Sequence, residues 1–211
     1  KSLSELYVSV NKGRDGFYSF DEPGLEELAD GRLMMIARTQ LGRPYQSFSE
    51  DGGVSWSRPE PVELASGIAP QLLVRIPGTD HLLLVWNQIS TTEMMSGQMR
   101  HRLSTAVSKD SGKTWTHFRN LESLDDRTRI EPPPPEPKQY LMKNYAYTQP
   151  EDRKKYPHAP GCLRVCYPTA TFWEDEVAIS YDYGYGGPGP LQKGHATKIK
   201  VVSLDWIYER V

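Results

Sequence analysis

Two octets of one form constrain this 211-residue sequence more than anything else in it. The first reads Ser49-Glu50-Asp51-Gly52-Gly53-Val54-Ser55-Trp56 and the second Ser108-Lys109-Asp110-Ser111-Gly112-Lys113-Thr114-Trp115, both S-x-D-x-G-x-[ST]-W. Each predicts a self-contained hairpin turn. The Asp carboxylate can accept hydrogen bonds from backbone N–H groups of its own turn. The Gly supplies left-handed backbone geometry, and the Ser or Thr hydroxyl ties the two limbs together. The Trp is large enough to bury between neighbouring sheets. The octets begin 59 residues apart, a length suited to a four-stranded unit carrying insertions. Their polar groups are consumed inside the turn, so they specify fold rather than chemistry.

The rest of the chain repeats the same β pattern. Gly24 to Leu28 leads through Ala29-Asp30-Gly31-Arg32 into Leu33 to Ala37, with a further strand at Tyr45 to Phe48. Gln71 to Ile76 turns at Pro77-Gly78-Thr79-Asp80 into His81 to Trp86, followed by Leu103 to Val107. Thr169 to Trp173 turns at Glu174-Asp175-Glu176 into Val177 to Tyr181, with a later strand from Lys198 to Leu204. Gly and Pro, 17 of each, punctuate these runs. No stretch of ten residues has convincing helical periodicity, so the pattern predicts an all-β chain. Ser203-Leu204-Asp205-Trp206 is a shortened echo of the octet.

Composition narrows the function classes. A formal net charge of −2 gives no electrostatic case for nucleic acid or an anionic membrane as partner. No run of about 18 apolar residues predicts a transmembrane helix. Cys162 and Cys166 would stand about 13 Å apart in a strand, too far to bridge. Without further ligands nearby they are a weak metal signal and read as buried thiols. The stretch from about residue 124 to 160 is polar and Pro-rich, with Glu131-Pro132-Pro133-Pro134-Pro135-Glu136-Pro137 at its centre. A run of this kind favours extended polyproline-like backbone. It reads either as a solvated insertion or as a loop walling a binding cleft.

The octets match the Asp-box, and with them the chain resembles the sialidase (neuraminidase) superfamily of BNR-repeat β-propellers. That family is six-bladed, and this chain would hold about three four-stranded blades of a single domain. The expected blades are residues 15–65, 66–122 and 160–211, with the Pro-rich insertion at 124–160. The resemblance implies a central pocket in which three arginines grip the substrate carboxylate. A tyrosine is the nucleophile, a glutamate activates it, and an aspartate is acid/base. Glu22 and Arg38, in the segment Glu22-Pro23-Gly24 to Ile36-Ala37-Arg38, resemble the family's activating glutamate and an arginine ending the next strand. Arg100, eight residues before Ser108, resembles a second carboxylate-binding arginine. Arg102 competes for that role, and the register counted back from the box favours Arg100. Tyr167, in Val165-Cys166-Tyr167-Pro168-Thr169, resembles the nucleophile at the start of a strand, with Pro168 and Asp182 as departures.

Nothing matches the blade that supplies the first arginine and the acid/base aspartate. The N-terminal half of the domain is therefore expected outside these 211 residues, or the protein is a divergent, inactive relative. The resemblance implies an exo-glycosidase that cleaves terminal sialic acid or a related acidic sugar from a glycoconjugate. It implies retention of configuration, no metal or organic cofactor, and a secreted or periplasmic location. The alternative from another class is a non-catalytic propeller that binds carbohydrate or protein.

Overall fold

The computed structural model describes residues 12–13, 16–17, 20–95, 100–135, 162–186 and 192–210. Residues 136–160 of the Pro-rich stretch therefore lie outside the described residues. After a short pair, β1 (Lys12–Gly13) and β2 (Gly16–Phe17), three antiparallel meanders follow one another. The first contains β3 (Asp21–Glu27), β4 (Leu33–Arg38), β5 (Tyr45–Ser49) and β6 (Glu60–Pro61). The second contains β7 (Leu72–Arg75), β8 (Leu82–Asn87), β9 (Leu103–Ser108) and β10 (Thr116–Glu122). The third has β11 (Cys162–Trp173), β12 (Glu176–Gly186) and β13 (Gln192–Ser203). One helical turn, α1 (Thr91–Met95), lies between β8 and β9, and another, α2 (Leu204–Ile207), follows β13.

The middle sheet is the one covered on both faces, and its sequence shows why. β8 reads Leu-Leu-Leu-Val-Trp-Asn and is buried at every position. Alternate residues of a strand point to opposite faces. Leu82, Leu84 and Trp86 pack with Met34, Ile36 and Leu64 of the first sheet and its following loop. Leu83 and Val85 pack with Val165, Val177 and Ile179 of the third. A strand sandwiched in this way needs a continuous apolar run rather than an alternating one.

The octet turns have the geometry expected of them, and only one is a wedge between sheets. In the first, Asp51 Oδ1 accepts from Ser55 N at 2.8 Å and Asp51 Oδ2 from Ser55 Oγ at 2.5 Å. Ser49 Oγ accepts from Gly53 N at 2.8 Å and donates to Asp51 Oδ1 at 2.8 Å. In the second, Asp110 takes the same bonds from Thr114 N and Oγ1, at 2.8 and 2.6 Å. Gly53 and Gly112 both have φ near +90°, at +91° and +83°. Trp115 is buried in the core between the first two sheets, whereas Trp56 is half-buried. A Cβ on Gly112 would come within 2.6 Å of Met34 Cε, so the second turn rests directly on the first sheet.

Three details depart from the sequence expectation. β11 begins at Cys162, so Tyr167 lies within a strand rather than at its start. The ladder breaks between Cys166 and Thr169 because Pro168 has no N–H to offer it. Ser203 to Trp206 is not a third octet turn: Ser203 caps α2, its Oγ accepting from Trp206 N at 3.1 Å. Without a glycine to take the left-handed position, this segment closes as a helical turn instead. The strands β6 and β10 were not legible in the sequence, the first being two residues long with Pro61 and the second largely polar.

Hydrogen bonds from Ser55 and Ser49 lower the Asp51 carboxyl to about 2. A depressed folded-state value means the stabilisation is full above the ordinary carboxylate range and is lost as pH falls towards 2. Acid denaturation of Asp51→Asn should therefore be less steep between about pH 4 and 2 than that of the parent, and an identical slope would contradict the assignment. In Gly31→Ala, φ is +84° with open space around the Cβ, and the cost should be about 1 kcal/mol. Gly112→Ala adds the collision with buried Met34 and should cost roughly 2–3 kcal/mol by denaturant titration.

Candidate active site

Glu22 and Arg38 meet because β3 and β4 form a hairpin whose open end pairs Asp21 with Arg38. The register breaks between Asp21 and Gly24, and within this bulge Glu22 has φ +47°. Pro23 follows it, and a residue before proline ordinarily stays in the extended region. A non-glycine residue held at positive φ costs on the order of 1–3 kcal/mol, and such outliers concentrate at functional sites. Here the bulge directs the Glu22 carboxylate onto Arg38, with Oε2 3.1 Å from Nε. Arg38 also donates from Nη1 to Ile68 O at 3.4 Å, which ties it to the chain entering β7.

Tyr167 is held by the same device on another sheet. It has φ +56°, sits in the bulge between Cys166 and Thr169, and precedes Pro168. It is 46 % exposed. The guanidinium of Arg100 lies over its ring, 5.3 Å from the centroid, within range of a cation–π contact. Arg100 is fixed there by its own backbone, since Val165 N donates to Arg100 O at 2.6 Å. Its Nη1 donates to Cys166 Sγ at 3.3 Å. Burial pushes the Cys166 thiol up, with Arg100 pulling partly the other way, so it stays a neutral group against the Arg100 guanidinium.

Arg102 serves a different purpose. It is fully buried, and Nη2 lies 3.0 Å from Glu93 Oε1 and 2.7 Å from Asp125 Oδ2. His101 Nε2 and Arg127 Nη2 also reach Glu93 Oε1, at 3.1 and 2.8 Å. Burial would raise the Glu93 carboxyl, but hydrogen bonds from His101, Arg102 and Ser90 hold it far below the usual carboxylate range. Ser90 and Glu93 cap α1 reciprocally: Ser90 N donates to Glu93 Oε2 at 2.7 Å and Glu93 N to Ser90 Oγ at 3.2 Å. The signal for this network was in the sequence as Ser90-Thr91-Thr92-Glu93, a capping box.

The start of the Pro-rich stretch is bound to the same end of the sheets. Gln88, just past β8, donates from Nε2 to Thr128 O at 2.9 Å and accepts from Ile130 N at 2.7 Å. Arg43 Nε donates to Pro133 O at 2.5 Å and Tyr45 OH to Pro135 O at 2.9 Å. Tyr45 pairs with Ala37, next to Arg38. Residues 128–135 thus run along the rim that carries Arg38, while residues 136–160 of the insertion are outside the described residues.

The structure therefore joins Glu22 to Arg38 and Arg100 to Tyr167. The two pairs stand on different sheets, and β7 packs against both β3 and β11 between them. Among the described residues, no group of three or more His, Cys, Asp or Glu side chains is arranged to hold a metal ion, and no helix is long and apolar enough to cross a membrane.

The family model described as a BNR repeat-like domain matches residues 21–183. No curated protein sequence is significantly similar to this chain. Among solved structures, an α-L-arabinanase from Penicillium chrysogenum has a TM-score of 0.53 at 15 % identity, over 93 % of this chain and 50 % of that one. An intramolecular trans-sialidase from Ruminococcus gnavus has a TM-score of 0.50 at 15 % identity, over 88 % and 33 %. A leech intramolecular trans-sialidase has a TM-score of 0.51 at 13 % identity, over 90 % and 24 %. The chain spans half the length of these structures or less. At such identities the likeness is one of fold, and the sheets described above are blades of a sialidase-like β-propeller.

The two arginines near β9 should separate cleanly on substitution. Arg102→Met removes the fully buried cation that Glu93 and Asp125 share and should cost about 3 kcal/mol or more in chemical denaturation. Arg100→Met, whose parent guanidinium lies over the half-exposed ring of Tyr167, should fold with nearly parental stability. Equal losses would contradict this division of labour.

Proposed function

Because the chain belongs to the BNR repeat-like domain family, we propose that it forms part of a glycoside hydrolase acting on a terminal acidic sugar, sialic acid or a related one. The observation that carries this reading is the paired strain: Glu22 and Tyr167 both stand at positive φ before a proline, each beside an arginine. A fold with no use for these side chains would gain by relaxing both bulges.

The chemistry follows from the substrate. A sugar with a carboxylate on its anomeric carbon repels a carboxylate nucleophile, and a tyrosine avoids that repulsion. Arg38 and Arg100 supply guanidiniums for the charge-assisted grip on the carboxylate. In this scheme Glu22 takes the phenolic proton as Tyr167 Oη bonds to the anomeric carbon and the bond to the leaving oxygen breaks. An acid outside this chain protonates that oxygen. Water then attacks the same carbon, giving a proton back to that acid, while the tyrosyl–sugar bond breaks, Glu22 returns the proton to the phenolate, and the sugar leaves with retained configuration. No metal or organic cofactor enters these steps. The three sheets are then blades of one domain completed by further blades, and residues 128–135 form part of the pocket rim.

The full-length protein should release 4-methylumbelliferone from its sialoside. Tyr167→Phe should abolish release, and Glu22→Gln should lower kcat by about 10²- to 10⁴-fold. Full activity in Tyr167→Phe would overturn the nucleophile assignment. Binding of the sialoside without any release would favour the carbohydrate-binding alternative.

A further inference from the structure

Gln71 is the last residue before β7, and it is 7 % exposed. Both its Oε1 and its Nε2 are buried without a hydrogen-bond partner. Buried amides are almost always satisfied, because desolvation without a partner is costly. Its location is fixed by the neighbouring strands. Gly24 of β3 lies against Leu73 of β7, a Cβ there coming within 3.2 Å of Leu73 Cβ. Two residues on, Arg75 N donates to Glu26 Oε2 at 3.1 Å. The two strands therefore advance in step and in the same direction. Gln71, two residues before Leu73, and Glu22, two before Gly24, therefore lie at the same end of the two strands.

The other flank leads to Tyr167. The β7–β8 ladder pairs Leu72 with Val85, so its continuation sets Pro70 opposite Asn87. Asn87 Nδ2 donates to Val165 O at 2.7 Å, two residues before Tyr167. On the near side, Ile68 O accepts from Arg38. Gln71 thus stands at the strand end between the Glu22–Arg38 pair and the Arg100–Tyr167 pair, and it is neutral where they are charged or aromatic.

We propose that Gln71 is a sugar-binding residue of this site, its carboxamide pairing with a ring hydroxyl of the bound sugar. A carboxamide offers donors and an acceptor together, which suits a hydroxyl, while the guanidiniums suit a carboxylate. The proposal rests on the glycosidase reading above. It explains why an amide is left unpaired in a buried position, because the sugar supplies the missing partner.

The test uses the full-length protein and Gln71→Met, close in volume but apolar. Calorimetric titration with N-acetylneuraminic acid and, separately, L-arabinose is paired with melting curves of the unliganded proteins. Binding of N-acetylneuraminic acid should weaken at least tenfold while the melting temperature stays the same or rises, since an unpartnered buried amide has been removed. Unchanged affinity in the variant overturns the role of Gln71 and leaves the acidic-sugar reading standing. A lower melting temperature, or failure to fold, also overturns it, because the amide was then serving the fold. Binding of L-arabinose alone, weakened in the variant, upholds Gln71 and overturns the acidic sugar. If the parent binds neither sugar, both proposals fall.

Discussion

The carboxylates of Asp51 and Asp110 each draw the far limb of a turn back onto the near one through paired bonds from Ser55 and Thr114. With that closure in place, β5 can hand over to β6 and β9 to β10 without a long loop. The second turn then lies flat on the first sheet, Gly112 against Met34, and Trp115 fills the space below. Packing of this kind has little slack, so the turn sets the spacing of the first two sheets. The doubly covered β8 carries the same constraint across to the third sheet. The relative position of the strand ends, and hence of the site, depends on this chain of contacts.

Two X-Pro bulges exploit that rigidity. Each turns a side chain out of its ladder at the same stage of a blade, and each costs energy that the surrounding sheet must hold. Arginines come to these side chains by different routes, Arg38 along the hairpin from Glu22 and Arg100 across from the next sheet through the Val165 bond. Next to Arg100 in the chain, the buried network of Arg102, Glu93, Asp125 and His101 fixes His101 and Arg102 at the entry to β9. Support of this kind from buried neighbours holds binding groups to their working geometry.

Much of this was legible in the sequence, and the gaps have physical causes. The octets, the Asp30-Gly31 and Pro77-Gly78 turns and the apolar runs gave the hairpins, because local turn chemistry and a period of two are encoded over a few residues. Glu22 and Arg38 were picked out by the family resemblance, and a hairpin explains why they meet, since it brings its open ends together. The strained backbone of Glu22 and Tyr167 was not legible, although Glu22-Pro23 and Tyr167-Pro168 were both in view. A bulge depends on where the ladder resumes, which a single strand does not specify. β6 and β10 are paired by their neighbours rather than by their own composition. Gln71 was out of reach for a further reason: being buried without a partner is a property of the packed structure only.

We propose that Tyr167, and no carboxylate, forms the covalent bond to the sugar. This assignment is tested most directly by incubating the full-length protein with a 2,3-difluorinated N-acetylneuraminic acid and mapping the modified peptide by mass spectrometry. Fluoride leaves readily in the first step, while the second fluorine slows release of the sugar from the protein. The expected result is a single stable adduct on Tyr167, within the peptide that contains Pro168. An adduct on Glu22, or turnover of a sialoside with no trapped species, would contradict it.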